Sequence, residues 1–454
     1  MTVDRSRVPS VGPDPTFVFP TASRTTLPNG LDVRTIQHRK MPVVSALLLL
    51  RCGAASDPAG QAGLASLTAA LLDEGTRVRT GLEVSECFGR LGAQFDVDAG
   101  MDATMVRLTT LARVAGDGLS LLAELVREPR FDTGAFDRVR ALRLDQLAQL
   151  REVAPVIADR TFARLLYGRQ PYGHLPFGTE GGVRTLARDD IVRFHAQCYR
   201  PTLATLIVVG DGSHENLAGM AAEAFASWAG ASEASEPVGG HSEVAADPPR
   251  LVVVDRPGAV QSELRIGHVA VSRDTPDYFP LLVLNMALGG QFTSRINLNL
   301  REDKGYTYGV RSAFDFRRRP GPFLVQTAVE TAATSASIRE VLDEIRAVRD
   351  GRPVTRLELE RALTGLTRGY PRGFETAEQV ARGLAQVALH GLPDDHFSQF
   401  RRCVAAVSVA DVAQVARDHL DPGRLSAVIV GDRAAVSAAV AEVGLGPPTA
   451  FDLA

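Results

Sequence analysis

The chain has 454 residues, 45% of them hydrophobic, with 50 Lys and Arg against 53 Asp and Glu and a formal net charge of −3. That length suggests about two to four domains, and the near-balanced charge leaves no global basic footprint for nucleic acid. No apolar run reaches the roughly 18 residues that a membrane span needs. The polar, proline-bearing segment 1–20 lacks the apolar core of a secretory signal and reads as a flexible arm. Cys52, Cys87, Cys198 and Cys403 lie far apart with no Cys-x-x-Cys, which reads as reduced, scattered core thiols of a cytoplasmic protein.

In chain order, Thr25–Val33 is a strand broken by an Asn29-Gly30 turn, and the uninterrupted apolar run Val43–Leu50 is a buried strand. Gly63–Leu72 and Thr80–Leu91 have helical spacing, and Gln94–Ala99 pairs with Thr104–Thr110 as a hairpin. Leu119–Val126, Phe136–Leu150 and Thr185–Gln197 read as helices, and Leu203–Val209 closes the sheet. The second half follows with strands at Leu251–Val254 and Ser262–Val271, a helix at Phe279–Leu288, a hairpin over Thr307–Val329, and helices at Ser335–Arg349 and Arg356–Leu366. Strands mix with helices without strict βαβ alternation. This predicts an α+β fold, a mostly antiparallel sheet with helices packed on one face.

The chain repeats itself once. The segment running from Asp190 through Pro201 to Gly210-Asp211 recurs from Asp411 through Pro422 to Gly431-Asp432, at a constant offset of 221 residues (Asp190 to Asp411). Each copy reads as an amphipathic helix, a proline stop and a buried strand. The period is far too long for a solenoid, so each copy is a whole domain. Segment 231–248, rich in Ala, Ser, Glu, Gly and Pro, has no apolar period and reads as a linker. It separates a domain at 21–230 from a second at 249–446, with a tail at 447–454.

The stretch Gly289–Val310 carries the most chemistry. A Gly289-Gly290 turn is followed by Phe292, Ile296 and Leu300, spaced four apart as the buried side of a short helix. The helix ends at Arg301-Glu302-Asp303-Lys304, with Gly305 as its C-terminal cap. Tyr306, Tyr308 and Val310 then alternate in strand period. A cation at a helix end and a phenol on the next strand can converge to hold a peptide carbonyl. By themselves, an Arg favoured by a helix dipole and a Tyr on a strand need no substrate.

This stretch resembles the second-domain signature of the pitrilysin/insulinase-type zinc peptidases (inverzincins), the family that includes the mitochondrial processing peptidase. Leu27-Pro-Asn-Gly-Leu-Asp-Val33, Gly63-Leu-Ala with Glu74-Gly-Thr76, Leu91-Gly-Ala-Gln-Phe95, Pro171-Tyr-Gly173 and Gly178-Thr-Glu180 resemble family segments in the family's order. The likeness spans about residues 25–446. It implies two homologous domains forming half of a clamshell, with Arg301 and Tyr308 as substrate contacts.

The resemblance also exposes a loss. The family's His-x-x-Glu-His sets two zinc ligands one helical turn apart, with a Glu to polarise water, and a Glu on a later helix completes the set. Here those positions carry Ser66, Ala69 and Ala70, and the later Glu falls near Leu147. No two of the nine histidines stand at i,i+3 or i,i+4, and no metal is expected elsewhere. His390 and His396 read as a helix end and a surface loop. Asp96, Asp98 and Asp102 read as a solvated strand face, and Arg317-Arg318-Arg319 as a solvated turn, with binding to an acidic partner as the alternative.

The resulting expectation is a catalytically incomplete subunit, inactive alone and binding no zinc of its own. A homologous His-x-x-Glu-His-bearing partner would supply the metal for hydrolysis of an extended peptide. The alternative is a non-catalytic scaffold, or a peptide-binding protein of the same fold.

Overall fold

The computed structural model describes residue 12, residues 17–229 and residues 250–450. The expected linker, 231–248, lies outside the described residues. The first half runs β1 (Ser23–Thr26), β2 (Asp32–Gln37), β3 (Val43–Leu50), α1 (Leu64–Ala70), α2 (Gly81–Leu91), β4 (Gln94–Ala99), β5 (Thr104–Leu111), α3 (Ala115–Arg127), α4 (Thr133–Leu150), α5 (Ala154–Tyr167), α6 (Glu180–Thr185), α7 (Arg188–Cys198), β6 (Ala204–Gly210) and α8 (His214–Phe225). Its sheet has the order β1-β2-β6-β3-β5-β4, antiparallel except for the parallel β2–β6 pair.

The second half runs β7 (Leu251–Asp255), β8 (Gln261–Val269), α9 (Tyr278–Asn285), α10 (Arg295–Asn297), β9 (Val310–Phe314), β10 (Pro322–Glu330), α11 (Thr334–Arg346), α12 (Arg356–Arg368), α13 (Ala377–His390), α14 (His396–Ala405), α15 (Val409–His419), β11 (Ser426–Gly431), α16 (Arg433–Val440) and β12 (Thr449–Ala450). Its sheet order is β12-β7-β11-β8-β10-β9. From the second strand onward the two sheets are copies. The edge differs: β1 is antiparallel to β2, whereas β12 from the chain's end lies parallel to β7. The expected tail therefore becomes a strand at 449–450.

One face of each sheet packs on helices of its own half. Leu48, Leu50, Val106, Leu108, Leu206 and Val208 join residues of α1, α3 and α7 in one core. The opposite face takes a helix from the other half. Leu47, Leu49, Ile207 and Val209 cluster with Val380, Ala381, Leu384 and Ala385 of α13. Reciprocally, Ile157, Ala158, Phe162 and Leu165 of α5 cluster with Val252, Val428 and Val430 of the second sheet. Alternate strand residues point to opposite faces. A strand covered on both faces is therefore apolar throughout, which is why Val43–Leu50 reads as an unbroken run. The exchange is pinned by Arg265 of β8, 3% exposed, whose Nε donates to Asp159 of α5 at 2.6 Å.

Several expectations change. The helices at α5 and α13 were not foreseen, so the single covered face is joined by a second. The helix expected at 185–197 is α7, which begins at Arg188, and a separate short helix, α6, precedes it. The arm docks from Phe17 onward, where Phe17 and Phe19 pack on Tyr370, Phe374 and Phe397. Cys52 and Cys198 form a disulfide between the end of β3 and the end of α7, while Cys87 and Cys403 are free. The strand order places these two cysteines side by side although 146 residues separate them in sequence. No helix among the described residues is long and apolar enough to cross a membrane.

Removing a buried side chain from α13 tests the exchange. Leu384 is 1% exposed. Leu384→Ala is expected to lower stability by about 3 kcal/mol, read as a fall in the urea midpoint of the whole chain. A change below about 0.5 kcal/mol, the size expected at a surface position, would mean that α13 does not anchor the first sheet.

Candidate functional site

The positions that would hold a metal do come together. Ser66, Ala69 and Ala70 on α1 and Leu147 on α4 line one cavity of about 530 Å³, closed on a third side by Val97, Asp98 and Ala99 of β4. Ala69 and Leu147 are buried. A larger cavity of about 730 Å³ opens beside Asp57 and is lined by Arg160, Arg164 and Arg169, but it contains none of these positions.

The donor set does not fit zinc. Ala69, Ala70 and Leu147 offer no lone pair, and a lone hydroxyl is a poor ligand for this metal. The cavity also holds a cation already. Arg143 of α4 donates from Nη1 to Ser66 Oγ at 2.6 Å and to the Phe177 carbonyl at 3.4 Å. Burial holds its pKa below the ordinary arginine value. Among the described residues, no group of three or more His, Cys, Asp or Glu side chains is placed to hold a metal. Sequence reading missed Arg143, a mid-helix arginine of the kind that normally faces solvent.

The geometry of α1 is set by a buried carboxylate. Asp57, 6% exposed, accepts from the backbone N–H of Gly63 at 2.7 Å and of Ala65 at 2.8 Å, capping the helix that presents Ser66. Desolvation outweighs these bonds and pushes its pKa up to about 7. The unfolded value is about 3.9, so the folded state binds the proton more tightly. This stabilising contribution is fully present below about pH 3.9 and is lost as the pH rises through about 7. The urea midpoint of the wild-type chain should therefore fall between about pH 5 and pH 8 by more than that of Asp57→Asn. Parallel curves for the two proteins would show that Asp57 does not titrate in this range.

In the second half, Gly289 and Gly290 end a π-helical turn, Met286–Gly290, that continues α9, and Gly289 serves a close approach. A Cβ on Gly289 would stand 2.5 Å from Ser312 Oγ of β9. Ser312 in turn donates to Asn285 at 2.7 Å. Ile296 and Leu300 are fully buried as expected, but Phe292 is 57% exposed. The helix is only α10 followed by a π-helical turn, Leu298–Asp303. Phe292 lies in the turn before α10, outside the helix that buries Ile296 and Leu300, and the Arg301 guanidinium stands 4.3 Å from its ring centre. Gly305 takes φ +67, the left-handed cap.

The expected strand from Tyr306 begins only at Val310. The loop before it is tied down on both sides of Tyr308. Thr307 Oγ1 donates to the Ala328 carbonyl at 2.7 Å, and Val310 N donates to Asn297 Oδ1 at 3.0 Å. Asn297, 3% exposed, also donates to the Phe292 carbonyl at 2.6 Å. It is a positioning residue that sequence reading missed. Tyr308 itself is 92% exposed. Arg301 contacts Phe292 and, at 3.4 Å, Glu302. Among the described residues no hydrogen bond or cation–ring contact joins Arg301 to Tyr308.

Other sequence-level candidates find structural roles. Asp96 pairs with Arg107 across the β4–β5 ladder, and Asp98 borders the cavity. Asp102 accepts from Tyr172 Oη and from the backbone N–H of Arg318 at 2.9 Å. The 317–319 tip is thus tied to the first half rather than being a free turn. His390 ends α13, but His396 begins α14 and is buried, not on a surface loop.

Comparison with known proteins gives two family matches: residues 33–165 match the insulinase (peptidase family M16) profile, and residues 185–366 the peptidase M16 inactive domain. An uncharacterized zinc protease of Mycobacterium tuberculosis is 27% identical over 412 residues, covering 90% of this chain and 92% of the relative. A non-peptidase homolog of Helicobacter pylori is 21% identical over 401 residues, covering 87% and 91%. In fold, the chain is similar to the crystal structure of a peptidase M16 inactive domain from Pseudomonas fluorescens, with a TM-score of 0.80, 24% identity and coverage of 90% and 98%. A protease from Helicobacter pylori gives a TM-score of 0.83 at 19% identity, covering 91% and 100%.

Proposed function

Because the chain belongs to the insulinase/pitrilysin-type family of M16 peptidases, we propose that it is the non-zinc subunit of a two-chain metallopeptidase. A homologous partner bearing His-x-x-Glu-His supplies the metal, the base and the attacking water. This chain binds no zinc and supplies contacts to an extended peptide. Relatives of this chain carry both kinds of name, zinc protease and non-peptidase homolog, as a division of labour within the family would produce.

The observation that carries the reading is Tyr308. It is a phenol 92% exposed on a loop fastened on either side by Thr307 and Asn297. The loop is held on both sides while the phenol itself has no hydrogen-bond partner among the described residues, an arrangement suited to a group from outside the chain. In the paired enzyme Tyr308 donates a hydrogen bond to the oxyanion of the tetrahedral intermediate, and Arg301 holds a substrate carbonyl. Arg301 is 36% exposed and its guanidinium is steered by the Phe292 ring.

The test is reconstitution with the partner, identified by co-purification. Tyr308→Phe is expected to lower kcat by roughly 100-fold, the cost of one oxyanion donor, without weakening assembly. Arg301→Ala should raise KM and lower kcat together. Unchanged turnover in both variants would favour the scaffold reading, and chelator-sensitive cleavage by this chain alone would overturn the proposal.

A further inference from the structure

The place vacated by the metal ligands has acquired features of a different receptor. Arg143 is half-buried in the cavity wall and engages only neutral oxygens, one hydroxyl and one carbonyl. Only its Nη1 is used in these bonds, which leaves most of a five-donor fork unengaged. Two other buried arginines here are neutralised, whereas another, Arg273, lies over the Tyr278 ring and beside His396. Arg265 has Asp159 and Glu263, and Arg295 has Glu358. For Arg143, no ion pair with a carboxylate occurs among the described residues, and burial without a counter-charge is costly. Ser66, having accepted from Arg143, keeps its own O–H free to donate toward the cavity, and Gln146 adds an amide on the same wall. The one acid at the rim is Asp98 of β4, an exposed residue.

The cavity also adjoins an open sheet edge. β4 is the outermost strand of its sheet and pairs only with β5, so its other side presents unpaired N–H and C=O groups to an extended chain. We propose that this cavity is an anion site, in which Arg143 and Ser66 receive a carboxylate carried by an extended peptide lying along β4. A cation fixed in the protein occupies the metal's place, and it selects a charged group where a metal would polarise a carbonyl. The site is complete within this chain and does not depend on the two-chain reading.

The carboxylate is either a peptide C-terminus or an Asp or Glu side chain. Calorimetric titration of the full chain alone, without partner, separates them. Three hexapeptides of alanine and valine serve as probes: one with a free C-terminus, one amidated with a central glutamate, and one amidated with no acid. At least one acidic peptide is expected to bind roughly tenfold or more tightly than the neutral one, as a charge-assisted arginine contact would give. Which of the two it is identifies the source. Arg143→Gln should reduce that peptide to the level of the neutral one, and Ser66→Ala should weaken it by about threefold. Should Arg143→Gln fail to fold, Arg143→Lys keeps the charge but not the fork, and a several-fold loss is expected. Equal binding of all three peptides, no binding of any, or unchanged affinity in the Arg143 variants would overturn the proposal.

Discussion

The constraint on which the rest depends is that neither sheet can bury its second face with its own residues. Leu47, Leu49, Ile207 and Val209 need α13, and Val252, Val428 and Val430 need α5. The two helices occupy equivalent places in the two copies, so one duplication has produced a reciprocal exchange. Each half is thereby committed to the other. The Arg265–Asp159 pair, buried on the arginine side, gives the exchange a charged fastening as well as an apolar one. The Asp102–Tyr172–Arg318 contacts add another between the halves.

On this scaffold the first half gathers into one cavity the positions that the family resemblance aligns with a zinc site. Asp57 still fixes the entry of α1, and α4 still crosses it, so the substituted positions share one cavity. The cavity is not an apolar hole, because it holds the Arg143 guanidinium bonded to Ser66.

The second half shows the opposite balance. Tyr308 is exposed on a loop held on both sides, and Arg301 lies against the Phe292 ring. Phe292, in the turn before α10, lies under Arg301, and Asn297 stitches the start of the π-helical turn to β9 just beyond Tyr308. π-helical turns within helices occur often at functional sites.

Much of the fold was legible in sequence because it rests on local period and on repetition. Val43–Leu50 is the strand β3 to the residue, Gln94–Ala99 is β4, Gly305 is a left-handed cap, and the offset repeat marks α7 with β6 and α15 with β11. The residue types at Ser66, Ala69, Ala70 and Leu147 are likewise read directly from the chain, whereas their meeting in one cavity is not. Only tertiary structure decided the rest. The exchange of α5 and α13, the Cys52–Cys198 bond and the bond from Arg143 to Ser66 join residues 77 or more positions apart. Side-chain period reports which face of an element is apolar, but not which distant element will cover it, nor which arginine will be turned inward.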